Sequence, residues 1–133
     1  MRVVFFLTGI VMLLDSCTSS GITKQLTAAD SLVITFNHIN TDSVVNSVQT
    51  TDKKAIQKIA GFLSKGDSTG YKCGFNGNMI FFNKGEQLLP VVFSYNDNCR
   101  YFLYDWENKV TSVKMSNEAV DFLKSLAEGK NWY

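Results

Sequence analysis

The sequence predicts an α+β domain: an antiparallel meander sheet of about 4–6 strands, two helices packed on one face of it, and one disulfide. Three observations lead there. Apolar runs between 78 and 114 are separated only by short turn signals, Lys84-Gly85, Asn96-Asp97-Asn98 and Glu107-Asn108. Connections that short join antiparallel neighbours, because a parallel crossover needs a dozen residues or more. Two other segments carry their apolar residues at helical spacing. Finally, two cysteines remain once Cys17 is set apart.

The elements follow in order. Leu32 to His38 (LVITFNH) alternates with Ile34 and Phe36 on one face, which predicts a strand. Asn40-Thr41-Asp42 predicts a turn, and Val44 to Thr50 a returning strand. Asp52 or Thr51 can cap a helix whose stripe is Ile56, Ile59, Ala60 and Leu63, with Gly66 as its end. Gly66 to Gly77 is Gly-rich and predicts a bend. Asn78 to Asn83, Gln87 to Tyr95, Cys99 to Trp106 and Lys109 to Lys114 are the remaining strands. Pro90 in the second of these points to an edge or a bulge, since it cannot donate to a ladder. Ser116 or Asn117 caps a last helix with Ala119, Val120, Leu123, Leu126 and Ala127 inside and Gly129 as its stop.

The N-terminus sets the compartment. Met1-Arg2 is a short positive start, and Val3 to Leu14 (VVFFLTGIVMLL) has no charge. Its length suits the apolar region of a signal peptide and falls short of the roughly 20 residues of a membrane-spanning helix. Leu14-Asp15-Ser16-Cys17 resembles the lipobox of bacterial lipoproteins: aliphatic, then small before a cysteine. A thiol takes the diacylglycerol, the small residue admits the peptidase, and the freed amine can be acylated. Asp15 is the one departure from that pattern. The Ser-Cys junction followed by small polar residues looks like lipoproteins of the Bacteroidota. Two other readings of these residues are an ordinary secretory signal cut beyond Cys17, and a buried N-terminal helix.

The resemblance implies a signal peptide at 1–16 and lipid attachment at Cys17, with two or three acyl chains holding the protein on a membrane. It implies a bacterial cell envelope. In that phylum an acidic cluster after the cysteine goes with surface display. Here the first acid after Cys17 is Asp30, so the expected address is the outer membrane facing the periplasm. Residues 17–29 are then a flexible tether and 30–133 a single domain, large enough for a core without a metal.

In an oxidising periplasm an even remainder of cysteines reads as a disulfide, Cys73–Cys99. The closed loop of about 27 residues would stabilise the fold by roughly 3.5 kcal/mol. The pairing competes with a turn signal. Phe75-Asn76-Gly77-Asn78 is good type I′ hairpin chemistry, yet a hairpin there would hold Cys73 more than about 10 Å from Cys99. A bond needs Cα atoms within about 7 Å. A loop over 66–77, hanging from the end of the sheet where Cys99 starts, satisfies the bond, and the cysteines therefore predict a loop.

Catalytic patterns are sparse. His38 is the only histidine and has no nucleophile paired with it in the sequence. Asp105 and Glu107 flank Trp106 at a hairpin end, where acids commonly meet water; they are the residues a small periplasmic hydrolase would have to use. Asn96-Asp97-Asn98 lacks the spacing of a calcium loop, and Lys65 to Gly70 lacks the order of a phosphate loop. No metal or cofactor is expected. The net charge is +1 and Lys53-Lys54 is the longest basic run, which gives a nucleic acid no footprint.

Aromatic residues are the unusual feature. Phe81, Phe82, Phe93, Tyr95, Tyr101, Phe102, Tyr104 and Trp106 fall on the predicted strands. Neighbours on a strand point to opposite faces, so both faces carry rings while the helices can cover one. The second face is either covered by the tether, the first hairpin or Trp132-Tyr133, or it is a binding surface. Phe82, Phe102, Tyr104 and Trp106 are its candidate residues. The expected function is a non-enzymatic envelope lipoprotein that binds a protein partner, as an inhibitor, an immunity-type module or a complex subunit. The small hydrolase is the alternative.

Overall fold

The computed structural model describes residues 21–64 and 66–132. Nine elements occur among them: α1 (Gly21–Leu26), β1 (Ser31–Asn37), β2 (Val44–Thr50), α2 (Lys53–Ser64), β3 (Gly77–Asn83), β4 (Glu86–Asn96), β5 (Cys99–Trp106), β6 (Lys109–Lys114) and α3 (Asn117–Ala127). The strands form one six-stranded sheet in the order β2-β1-β3-β4-β5-β6, antiparallel throughout. It is an α+β fold, as its turn spacing predicts.

Local chemistry explains most boundaries. Lys84 and Gly85, and again Glu107 and Asn108, take positive φ, so the β3–β4 and β5–β6 hairpins turn through two left-handed residues whose twist matches that of the strands. Ser116 caps α3 by accepting from the Ala119 amide, and Asp52 accepts from the Ala55 amide at the start of α2. Gly129, at φ +81°, ends α3 with its amide bonded to the Leu126 carbonyl. Pro90 lies in β4 beyond the β4–β5 ladder, which starts at Val92, and next to a bulge in the β3–β4 register at Phe81/Phe82.

All three helices lie on one face. Leu32, Ile34 and Phe36 of β1, Met79 and Phe81 of β3, Val91 and Phe93 of β4, and Phe102 of β5 meet Ile56, Ile59 and Leu63 of α2 and Leu123 and Leu126 of α3 in a single buried core. Aromatic pairs fill its centre, with Phe36 and Phe93 edge to face at 5.8 Å.

One expectation is corrected. The tether does not run to residue 29: Gly21–Leu26 is a helix, and Ile22, Leu26 and Ala29 are buried in the core. Ile22 and Leu26 stand one turn apart, a four-residue stripe too short to stand out in a polar segment. Cys17 and residues 1–16 lie outside the described residues. The loop expected over 66–77 is present, running to Asn76, and the Asn76-Gly77 pair makes no hairpin. Gly77 opens β3 because a Cβ there would overlap the Thr35 carbonyl oxygen, so this glycine serves the close approach of two strands.

Cys73 and Cys99 are bonded, with Cα atoms 5.8 Å apart. The bond ties down an unusual connection. After α2 the chain reaches the outer edge of β6, where the Lys114 amide donates to the Asp67 carbonyl and the Thr69 amide to the Ser112 carbonyl. It then crosses the second face of the sheet. The Tyr101 hydroxyl donates to the Gly74 carbonyl, and the Asn76 amide donates to the Phe93 carbonyl, just before β3. Residues 66–76 form a strap from edge to centre.

Candidate functional site

Strand alternation and register decide what the second face presents. One rung runs Val33, Ile80, Pro90 across β1, β3 and β4. The next runs Ser47, Thr35, Asn78, Val92, Leu103, Ser112 across all six strands. Phe82 stands above them, opposite Ser31, and Val110 beside them, opposite Asp105. Val33, Ile80, Phe82, Val92 and Leu103 are half-buried, Pro90 is exposed, and Val110 is 61% exposed. None of these belongs to the buried core. The strap covers the rung below, where Ser94 is fully buried and its hydroxyl donates to the Cys99 carbonyl.

The predicted aromatic face is therefore divided. Phe82 lies on the second face. Phe102, Tyr104 and Trp106 point the other way, into the helical layer. Phe102 is fully buried, the Tyr104 hydroxyl donates to the Leu63 carbonyl of α2, and Trp106 packs on the core beside Gly21 of α1. The correction has a simple cause. Alternation sorts the rings within one strand, but the register across β4 and the bulge at Phe81/Phe82 set how strands align, and they put Phe82 and Phe102 on opposite pleats. The alternative coverings of the second face also give way to the strap. Trp132 lies against Phe122 of α3.

The residues that the register adds, Val33, Ile80, Val92 and Leu103, are aliphatic, and alternation along each strand could have found them. What the sequence did not provide was which pleat the helices cover.

The polar candidates are scattered. His38 is exposed in the β1–β2 turn, with its carbonyl taken by the Thr41 amide. Asp105 and Glu107 are exposed at the end of β5, at the opposite end of the sheet. Among the described residues, no three His, Cys, Asp or Glu side chains are grouped so as to hold a metal ion. A groove of about 560 Å³ lies between α2 and the start of α3, with Lys58, Phe62, Asp67, Lys114 and Glu118 in its walls. It collects none of His38, Asp105, Glu107 or the candidate aromatic residues. Among the described residues no helix is long and apolar enough to cross a membrane.

No family model, curated protein or solved structure matches this chain.

Three phenols have their acidity altered by the packing. Burial pushes Tyr95, Tyr101 and Tyr104 up from the ordinary value of 10.0. The neutral form is favoured in the fold, where Tyr101 and Tyr104 donate hydrogen bonds that a phenolate could not. The unfolded chain gives up these protons first. Their contribution is complete below pH 10.0 and declines as pH rises past it. Urea midpoints measured from about pH 8 to about pH 11 should stay level and then drop at the alkaline end. A level profile throughout would mean that the phenols ionise as freely folded as unfolded.

Proposed function

We propose that this chain is a non-enzymatic binding module of a bacterial cell envelope, held on the outer membrane by acyl chains on Cys17 and facing the periplasm. It takes a protein partner on the uncovered part of its second face. The observation that carries this is the run of Val33, Ile80, Phe82, Pro90, Val92, Leu103 and Val110 on a face that none of the described helices covers. Asp105 is the one charge inside this run, at its rim. Such a surface complements an apolar, uncharged partner surface and has nothing with which to steer a strongly charged one. An inhibitor, an immunity-type module or a subunit of an envelope complex would meet that description.

Paired substitutions test it. Ile80→Ser with Leu103→Ser removes two central side chains of the face without entering the core. Crosslinking in the native envelope should then recover the partner about tenfold less, as expected for the loss of one or two contacts each worth above about 1 kcal/mol. The melting temperature should change by only a few degrees. A combined His38→Ala, Asp105→Asn, Glu107→Gln variant should keep both partner and phenotype. Loss of function in that variant alone would favour a hydrolase over a binder.

A further inference from the structure

The described chain enters the domain at one end of the sheet. A Cβ on Gly21 would stand 3.3 Å from the Trp106 ring. Nearby, the Asp30 amide donates to the Phe82 carbonyl, and the Lys84 amide donates to the Asp30 carboxylate at 2.8 Å. Trp106, Phe82 and Lys84 mark the end closed by the Lys84-Gly85 and Glu107-Asn108 turns. The Cys73–Cys99 bond lies at the other end, together with the Asn76 to Asn96 side-chain hydrogen bond. The length of β5, Cys99 to Trp106, sets the two ends about 23 Å apart.

Cys17 is four peptide steps before Gly21, which limits their separation to about 14 Å. Resting on the reading of Cys17 as the acylated N-terminus, we infer that a lipid surface is the neighbour of the two-hairpin end. The Lys84-Gly85 and Glu107-Asn108 turns face the bilayer and the disulfide end points away from it. Charge does not drive this. Lys24, Lys84 and Lys109 are matched there by Asp30, Glu86, Asp105 and Glu107, so anionic headgroups gain nothing from the contact. The short attachment does, because it keeps the entry end nearest the membrane. The outer faces of α2 and α3 carry Lys53, Lys54, Lys58, Glu118, Asp121 and Lys124, and offer lipid no apolar side on which to lie.

The consequence concerns the binding face. The strap closes the rung nearest the disulfide and leaves open the rungs nearer the hairpin turns. The open apolar part of the second face is thus its membrane-proximal part, and a partner held there sits against the bilayer surface.

Tryptophan quenching tests the orientation. Trp132→Phe leaves Trp106 as the sole tryptophan of the chain. A second protein carries Tyr71→Trp, on an exposed strap residue two positions before the disulfide's Cys73, with Trp106→Phe and Trp132→Phe, and so reports from near the distal end. Both are purified as full-length acylated protein, with acylation confirmed by mass, and placed in phosphatidylcholine vesicles containing a headgroup nitroxide lipid. Trp106 should be quenched several-fold more strongly than the tryptophan at 71. Lengthening the chain by a Gly-Ser segment between Ser20 and Gly21 should remove most of that difference, which guards against a fold disturbed by Trp106→Phe. Equal quenching at both ends, or stronger quenching at 71, in acylated protein overturns the orientation alone. A mature protein without acyl chains overturns the reading of Cys17 and the orientation with it.

Discussion

Phe102→Ala should cost about 3–5 kcal/mol, whereas Phe82→Ala should cost on the order of 1 kcal/mol. Both are phenylalanines in strands of one sheet, and their difference lies entirely in which pleat they occupy. Phe102 is fully buried between the sheet and the helices, so truncation leaves a cavity that the rigid strand cannot close. Phe82 is half-buried on the second face, and water can replace the lost ring. A domain of this size has a total stability of roughly 5–15 kcal/mol, so Phe102→Ala threatens folding itself. Urea unfolding midpoints decide the matter. Equal losses would mean that Phe82 is as deeply packed as Phe102 and that the second face is no open surface. The pair also guards the functional test: a binding defect in a Phe102 variant would report unfolding, and one in a Phe82 variant would report the face.

Reduction of Cys73–Cys99 is the second large effect. The bond closes a loop with a sequence separation of 26. Chain entropy then assigns it about 3.5 kcal/mol, equivalent to a fall of about 10 °C or more in melting temperature. The damage should be local before it is global. The strap loses its covalent tie while Asn76 keeps its place through the Phe93 and Tyr95 hydrogen bonds. Amide exchange under reducing conditions should therefore rise first in 67–75 and in the Cys99 to Tyr101 part of β5, with the β1–β3 ladder protected longer. Uniform loss of protection would show that strap and sheet unfold as one unit.

The strands β3 to β6, their turns, the helix caps and the stripe of α2 were readable along the chain, because each depends on residues within a few positions of one another. Lys84-Gly85 can turn, Ser116 can cap, and Ile56, Ile59 and Leu63 share a face whatever surrounds them. The disulfide was legible too, because parity of cysteines is a property of the chain. At Asn76-Gly77 local turn chemistry and the disulfide pointed different ways, and the disulfide was the better guide: the glycine answers to the Thr35 carbonyl of another strand rather than to a hairpin. Ile22 and Leu26 are not legible in the sequence, because a single helical turn has no period.

What the tertiary structure alone decided is sidedness. A strand of period two displays both of its faces equally in sequence, and Phe102 looks no more buried than Phe82 until the helices choose a face. That choice made Phe102 and Tyr104 core and packed Trp106 against it. It left Val33, Ile80, Val92 and Leu103 open, and sent the 66–76 strap across the other side. The insertion of β1 beside β3 is of the same kind. It depends on pairing across more than forty residues, between Leu32 and Phe81, whose energy appears only once the chain has closed that loop.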